Sequence, residues 1–335
     1  MTDSPAPLFA DGPEAPRPRT GFARRLATDR PKLLLALIAL LVAGMGITHP
    51  DTFFQPANAG VILLDSSQTA ILACGMMLLM IAGVFDLSIG GILAFSGIMA
   101  GMAAKFWGFP PVACFALGCA FGAALGAVNG TLVTLFRINA LIATLATLSI
   151  FRGALQLVAG SGVSNIGNGY NDIGQARILG LYAPFWFMAA IVLAFAFLVA
   201  KTRFFRQAYY IGGSPKAAKL SGMNVRGTLF AFFVIMGLLA GLAGALLASR
   251  LNTAVVLAGQ GVELKVITAV VLGGASLSGG VGTIWGAFLG VLFMALLQNA
   301  MIIAGIDPLW QLITVGAVLL LSVGIDQLAR RGAAS

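Results

Sequence analysis

The sequence predicts an all-α integral membrane protein, with about ten transmembrane helices in two inverted halves and one short helix on the cytoplasmic side. Three observations carry this reading. Of the 335 residues, 59% are hydrophobic and only 9% are charged, against roughly 25% charged in a soluble domain. The apolar runs are continuous and lack the two-residue alternation of a barrel strand. The basic residues sort by side: with the N-terminal tail inside, 15 of the 20 fall on inner segments and 3 on outer ones, as the positive-inside rule requires.

Residues 1–32 hold six of the 13 prolines and six of the basic residues. No apolar run reaches signal-peptide length before Leu33, so this stretch reads as a disordered, basic cytoplasmic tail. The membrane domain follows at 33–328. Spans are predicted at 33–48, 59–83, 88–106, about 110–132, 139–160, 182–200 and 228–249. Pro50 and Pro56 break the chain after the first, and the tight sequence FDLSI separates the second from the third. The glycine-rich segment 161–181 reads as an outer loop. Residues 250–262 are only half apolar, and Glu263 to Gly274 is too short to cross about 30 Å at about 1.5 Å per residue. The eighth crossing is therefore expected to be incomplete or broken. Segments 281–304 and 309–328 supply the last two, and 329–335 is a cytoplasmic end. Trp107, Tyr182, Trp186 and Trp310 fall near outer ends, as an aromatic belt would place them.

Composition also excludes functions. The net charge of +9 is distributed by topology, so nucleic acid is not the implied partner. Cys74, Cys114 and Cys119 lie in apolar runs and read as packing residues, not as a disulfide or metal framework. His49, the single histidine, sits before Pro50 at a helix end and reads as structural. No GxxxxGK[ST] loop cradles phosphate, and nothing assembles an acid–base or metal constellation. No catalytic residue and no metal ligand is assigned.

Glycine recurs every fourth position at Gly118, Gly122, Gly126 and Gly130, at Gly282, Gly286 and Gly290, and in the pairs Gly97/Gly101 and Gly237/Gly241. Such stripes let backbones approach closely, and packing within the chain is the expected use. A short echo relates Leu87–Gly91 (LSIGG) to Leu277–Gly280 (LSGG).

The most basic interruption of the greasy chain is the loop 201–227. Lys201, Arg203, Arg206, Lys216, Lys219 and Arg226 occur there with no acid among them, so it cannot lie in hydrocarbon. It contains a helix signature. Ser214 suits the cap and Pro215 the first position. Ala217, Ala218 and Leu220 favour helix, and Gly222 can end it in the left-handed conformation. Two turns are too short to stand alone in water, so a partner protein is expected to hold them.

Polar residues within the spans are candidates for a solute path: Asp86, Ser88, Asn129, Asn139, Thr144, Thr147 and Arg152. Asp86 and Ser88 either face a cavity at a broken helix or cap a short turn. The threonines back-bond to their own helix by default. Arg152 lies deep in a span and needs a partner, for which Asp65 is the candidate. Gln260, Glu263 and Lys265 flank the broken eighth span.

Four stretches then stand out together: GVFDLSIGG (83–91), NALIATLATLSIFRG (139–153), GGSPKAAKLSGMNV (212–225) and VLGGASLSGGVGTIWGAFLG (271–290). They resemble the permease subunit of bacterial ATP-binding-cassette sugar importers of the ribose type, a group related to branched-chain amino-acid permeases. The resemblance covers about 33–328. It implies that Gly212, Gly213, Ser214, Pro215, Lys216, Ala217, Ala218, Lys219, Leu220 and Gly222 form the ATPase-coupling segment, with Lys216 where the family usually has glutamate. It implies further a multi-pass protein of the bacterial inner membrane with both termini cytoplasmic. Its partners would be a cytosolic ATPase subunit or tandem ATPase, a periplasmic sugar-binding protein and a second permease chain, identical or paralogous. This chain would bind no cofactor, and ATP–Mg would sit on the partner. The implied cargo is a neutral monosaccharide or related polyol. A passive channel needing no nucleotide, or an ion-coupled carrier acting through Asp65 or Asp86, is the alternative.

Overall fold

The computed structural model describes residues 30–167 and 169–334. The expected tail therefore lies almost wholly outside the described residues, and helix begins at Arg30, three residues before the expected first span. The helices are α1 (Arg30–Thr48), α2 (Pro50–Phe53), α3 (Pro56–Ile81), α4 (Ile89–Lys105), α5 (Pro111–Thr134), α6 (Ala140–Ala159), α7 (Tyr170–Gln175), α8 (Ala183–Lys201), α9 (Arg203–Gly213), α10 (Pro215–Leu220), α11 (Val225–Leu251), α12 (Val262–Leu272), α13 (Ile284–Ile303) and α14 (Pro308–Ala334). Helix thus lies at each of the ten expected places. Among the described residues, seven of these are long and apolar enough to cross a membrane: α1, α3, α5, α6, α8, α11 and α13. The segments 89–105 and 309–324 are shorter apolar helices, and α12 has only 11 residues. The chain is a multi-pass membrane protein. Its last helix runs on through 329–334, where a separate terminal segment was expected.

Prolines set several helix starts. Pro50, Pro56, Pro111, Pro184 and Pro215 each occupy a first-turn position, where the missing N–H costs nothing. Asn139, Ser214, Asn224 and Thr283 cap their helices by accepting a backbone N–H.

The centre is α3, α4 and α11. In α3, Ile71, Leu72, Met76, Met77, Leu78, Leu79 and Ile81 are fully buried. The glycine stripes explain how the helices come so close. A methyl group at Gly122 would overlap the carbonyl oxygen of Gly237, and one at Gly237 would overlap that of Gly122. Gly118 faces Gly241, Gly126 faces Phe233 and Gly237, and Gly97 faces Gly244. Gly286 and Gly290 of α13 do the same against Gly273 and Ala269 of α12. The stripes are therefore used within the chain, where van der Waals packing rather than solvent drives association. α1 lies at the edge, in a smaller cluster where Met45 and Phe53 meet Ile62, Ala295, Leu296 and Ala300.

At one end of the bundle sit α9 and α10, so this is called the basic end. At the opposite end, the segment expected as plain loop carries α7 and three short strands. β1 (Gly162–Ser164) pairs antiparallel with β4 (Thr253–Val255), and β2 (Arg177–Ile178) with β3 (Leu181–Tyr182). α7 is pinned to α11: Tyr170 Oη donates to Ala245 O at 2.7 Å, and Gly174 N donates to Ser249 Oγ at 2.8 Å.

The eighth span is broken, as expected, and the break has a definite form. After β4 the chain returns along α4 without forming helix. Ala254 lies against Gly101, and Gly259 lies against Gly90 and Leu93. From Gly101 to Gly90 is 11 helical residues, about 16 Å of depth. Only then does α12 begin. Non-helical backbone at such depth is tolerated when buried in protein or lining a cavity, and both conditions are met below.

Candidate functional site

The basic end is built around α9 and α10. Ser214 is the hinge between them, with extended backbone (φ −161°, ψ 102°), and its hydroxyl accepts from Ala217 N at 3.2 Å. Pro215 opens α10. Gly222 has φ +82°, and Met223 N donates to Ala218 O, the left-handed closure that glycine allows. Ala218 is buried, whereas Lys216, Ala217 and Lys219 are exposed. Leu220 is 82% exposed, so a large apolar side chain projects from a basic knob. α9 was not expected as a helix. Its Phe204 and Phe205 pack edge-on with each other, Phe204 meets Phe232 edge-on while Phe205 stacks on it, and its Tyr209 donates to Gly282 O at 2.8 Å.

Gly212 joins this knob to the bundle. A Cβ there would overlap Ile81 O and approach Gly280 N, the two atoms that hydrogen-bond to each other at 2.8 Å. The echoing stretches of the sequence meet beneath it. Two residues past α3, Gly83 has φ +84°, and two residues past α12, Gly274 has φ +99°. Asp86 Oδ1 accepts from Ser88 N, and Ser276 Oγ accepts from Ser278 N. The two loops share one plan, and Gly279 packs against both Gly83 and Gly212.

Asp86, Ser88 and Asn129 form one fully buried cluster. Asp86 Oδ1 accepts from the Ser88 hydroxyl at 2.7 Å, and Asn129 Nδ2 donates to Asp86 Oδ2 at 3.1 Å and to Ser88 Oγ at 2.7 Å. Burial pushes the Asp86 carboxyl up from its ordinary value, and the bonds from Ser88 and Asn129 oppose this. This is the turn-forming alternative, and it ties α5 to the α3–α4 loop. Thr144 and Thr147 are buried and donate to Ala140 O and Thr144 O, and Asn139 caps α6. None of these six residues lines the large cavity described next.

Arg152 does not pair with Asp65. Its Nη1 donates to Val256 O at 3.0 Å, and the acid that acts on it is Glu263. A Cβ on Gly90 would lie 2.7 Å from Glu263 Oε2 and 3.3 Å from Arg152 Nη2, so the bare glycine leaves room for both. The re-entrant segment brings residues about a hundred positions away onto α6, a proximity that linear spacing does not reveal. Asp65 pairs instead with Arg250, at 3.2 Å.

That second pair lies on the wall of a cavity of about 670 Å³ between α3, α11, α12, α13 and α14. The start of α3 and the end of α11 place it toward the end opposite the knob. Asp65, Gln68, Arg250, Lys265, Gln298 and Gln311 line it, together with Asn58 and Asn299, whose amides bond reciprocally at 2.7 and 3.2 Å. The size suits a small-molecule site. Sequence reasoning missed Gln68, Gln298 and Gln311. Each is an amide inside a predicted span, and that was the available signal.

Comparison with known proteins follows the same lines. A family described as "Branched-chain amino acid transport system / permease component" matches residues 58–323. The chain is 37% identical over 298 residues to the L-arabinose ABC transporter permease protein AraH of Azospirillum brasilense, covering 89% of this chain and 87% of that protein. It is 39% identical over 295 residues to the ribose import permease protein RbsC of Bacillus subtilis (86% and 90%). It is 32% identical over 294 residues to the D-allose transport system permease protein AlsC of Escherichia coli (87% and 90%). No solved structure matches the chain.

Proposed function

The chain belongs to the branched-chain amino acid transport system permease family, and on that premise we propose that it is the membrane-spanning subunit of an ATP-binding-cassette importer carrying a neutral monosaccharide or related polyol. The observation that carries the proposal is α10, a capped two-turn helix that exposes Leu220 and two lysines yet is seated, through Gly212, on the loops that end α3 and α12. A cytosolic ATPase that grips this knob would move those helix ends. The knob end then faces the cytoplasm, as do both termini, in the inner membrane of a bacterium. A periplasmic binding protein delivers solute at the opposite end, and a second permease chain completes the pathway. ATP and magnesium belong to the ATPase, not to this chain.

The reading takes ten crossings in two inverted halves. α3–α6 and α11–α14 run in opposite senses, and the second helix of each half, α4 and α12, is the short one. Paired short segments are the expected mark of a transport site at a repeat interface. The solute path is assigned to the cavity beside α12. Within the earlier candidate set, Asp86, Ser88, Asn129, Asn139, Thr144 and Thr147 are assigned structural roles, and Arg152 holds the re-entrant segment at the path's edge.

Replacing Ala217 through Leu220 with glycines tests the docking assignment. Each change costs the helix up to about 1 kcal/mol, enough in sum to melt two turns. ATP-driven uptake and binding-protein-stimulated ATPase activity should both disappear while the protein stays in the membrane at normal level. Uptake that survives the four glycines removes the role given to α10.

A further inference from the structure

We propose that Lys265, with Asp65 and Arg250, is the solute-holding element of the cavity, and that it takes adjacent hydroxyl groups of an uncharged sugar or polyol; this rests on the importer reading above. The Asp65–Arg250 pair makes a single contact at 3.2 Å, and its side chains stay 52% and 31% exposed respectively. One carboxylate oxygen and most of the guanidinium fork are thus open to a ligand. Lys265 is half-buried on the same wall. Its ammonium has no hydrogen-bond partner among the described residues, and it shares the cavity lining with Asp65. A donor group held in that way on a concave wall wants an acceptor.

A sugar hydroxyl matches this set because it both donates and accepts. One hydroxyl can donate to Asp65 while its neighbour's lone pairs accept from Lys265 or Arg250. Gln68, Gln298 and Gln311 offer amides that do either, so they can follow hydroxyls of differing configuration. The set suits a class of polyols more than one isomer.

The position of Lys265 adds a second property. Asp65 and Arg250 stand on the long helices α3 and α11, whereas Lys265 stands on the short α12. The far end of α12 packs against Gly286 of α13 and leads into the loop under Gly212. A solute bridging Lys265 to Asp65 is thus held between the central bundle and the element tied to the knob. Displacement of α12 opens the bridge and releases the solute, as a transient site requires.

The test uses Lys265→Cys in the transporter reconstituted with its ATPase and binding protein. The unsubstituted chain, with its own Cys74, Cys114 and Cys119, serves as the control. Uptake should fall at least tenfold. Aminoethyl methanethiosulfonate, which installs an ammonium on the new thiol, should restore uptake, and methyl methanethiosulfonate should not. In the permease alone, excess ribose, arabinose or allose should slow modification of that thiol at least threefold. Wild-type uptake without dependence on ATP would sink the importer reading only, and the site is then judged by protection of the thiol. Full uptake by the cysteine variant, equal rescue by the neutral reagent, or modification indifferent to all three sugars overturns the role of Lys265.

Discussion

Gly237→Val will leave little correctly assembled protein, whereas Gly153→Val will be close to wild type. At Gly237 the added carbons meet the carbonyl oxygen of Gly122 and, at 2.8 Å, the Cα of Gly126. Overpacking usually costs about 1–3 kcal/mol because a neighbouring side chain can yield. Here the neighbour is the backbone of α5, which cannot yield without parting two helices along several turns. The top of that range applies, and about 3 kcal/mol is on the order of a hundredfold in population. At Gly153 nothing lies within 4 Å of the added carbon. Monodispersity on size exclusion in mild detergent, with thermal unfolding of the same samples, reads both variants. A Gly237→Val protein as stable as Gly153→Val would mean that α5 and α11 do not cross where described.

The second large effect separates two neighbouring glycines. Gly212→Ala should reduce solute uptake at least tenfold, and Gly213→Ala should leave it unchanged. The Cβ of the first overlaps Ile81 O and comes to 2.5 Å from Gly280 N, while that of the second meets nothing within 4 Å. Both residues close the same helix and lose the same backbone freedom, so propensity cannot distinguish them. The overlap falls on the seat of the knob and not on the bundle, so membrane level should hold while uptake and stimulated ATPase activity part company. Equal uptake by the two variants would detach Gly212 from any mechanical role.

Much of this was legible in the sequence. Continuous apolar runs located the long helices because a membrane span must satisfy its own backbone. The start and stop of α10 were legible because capping is local: Ser214, Pro215 and Gly222 need no distant partner. α9 was not, since FFRQAYYIGG carries its apolar face as aromatics whose packing depends on Phe232, more than twenty residues away. Likewise, the pairing of β1 with β4 joins Val163 to Ala254 and has no local mark. Arg152 was rightly read as needing a partner, but the partner came from a segment whose depth is set by tertiary contact. Thr144 and Thr147 did what hydroxyls in helices ordinarily do. The amides of the cavity were passed over because Gln68 or Gln298, taken singly, looks like any polar residue in a span. Only the convergence of α3, α13 and α14 gives them a common address.

The contact of Gly212 with Gly83 and Gly279 has one further consequence. Main chain meets main chain there, with no rotamers to rearrange and no soft hydrocarbon to compress. Such a joint is expected to act less as a spring than as a latch, parting whole rather than deforming when the knob is pushed.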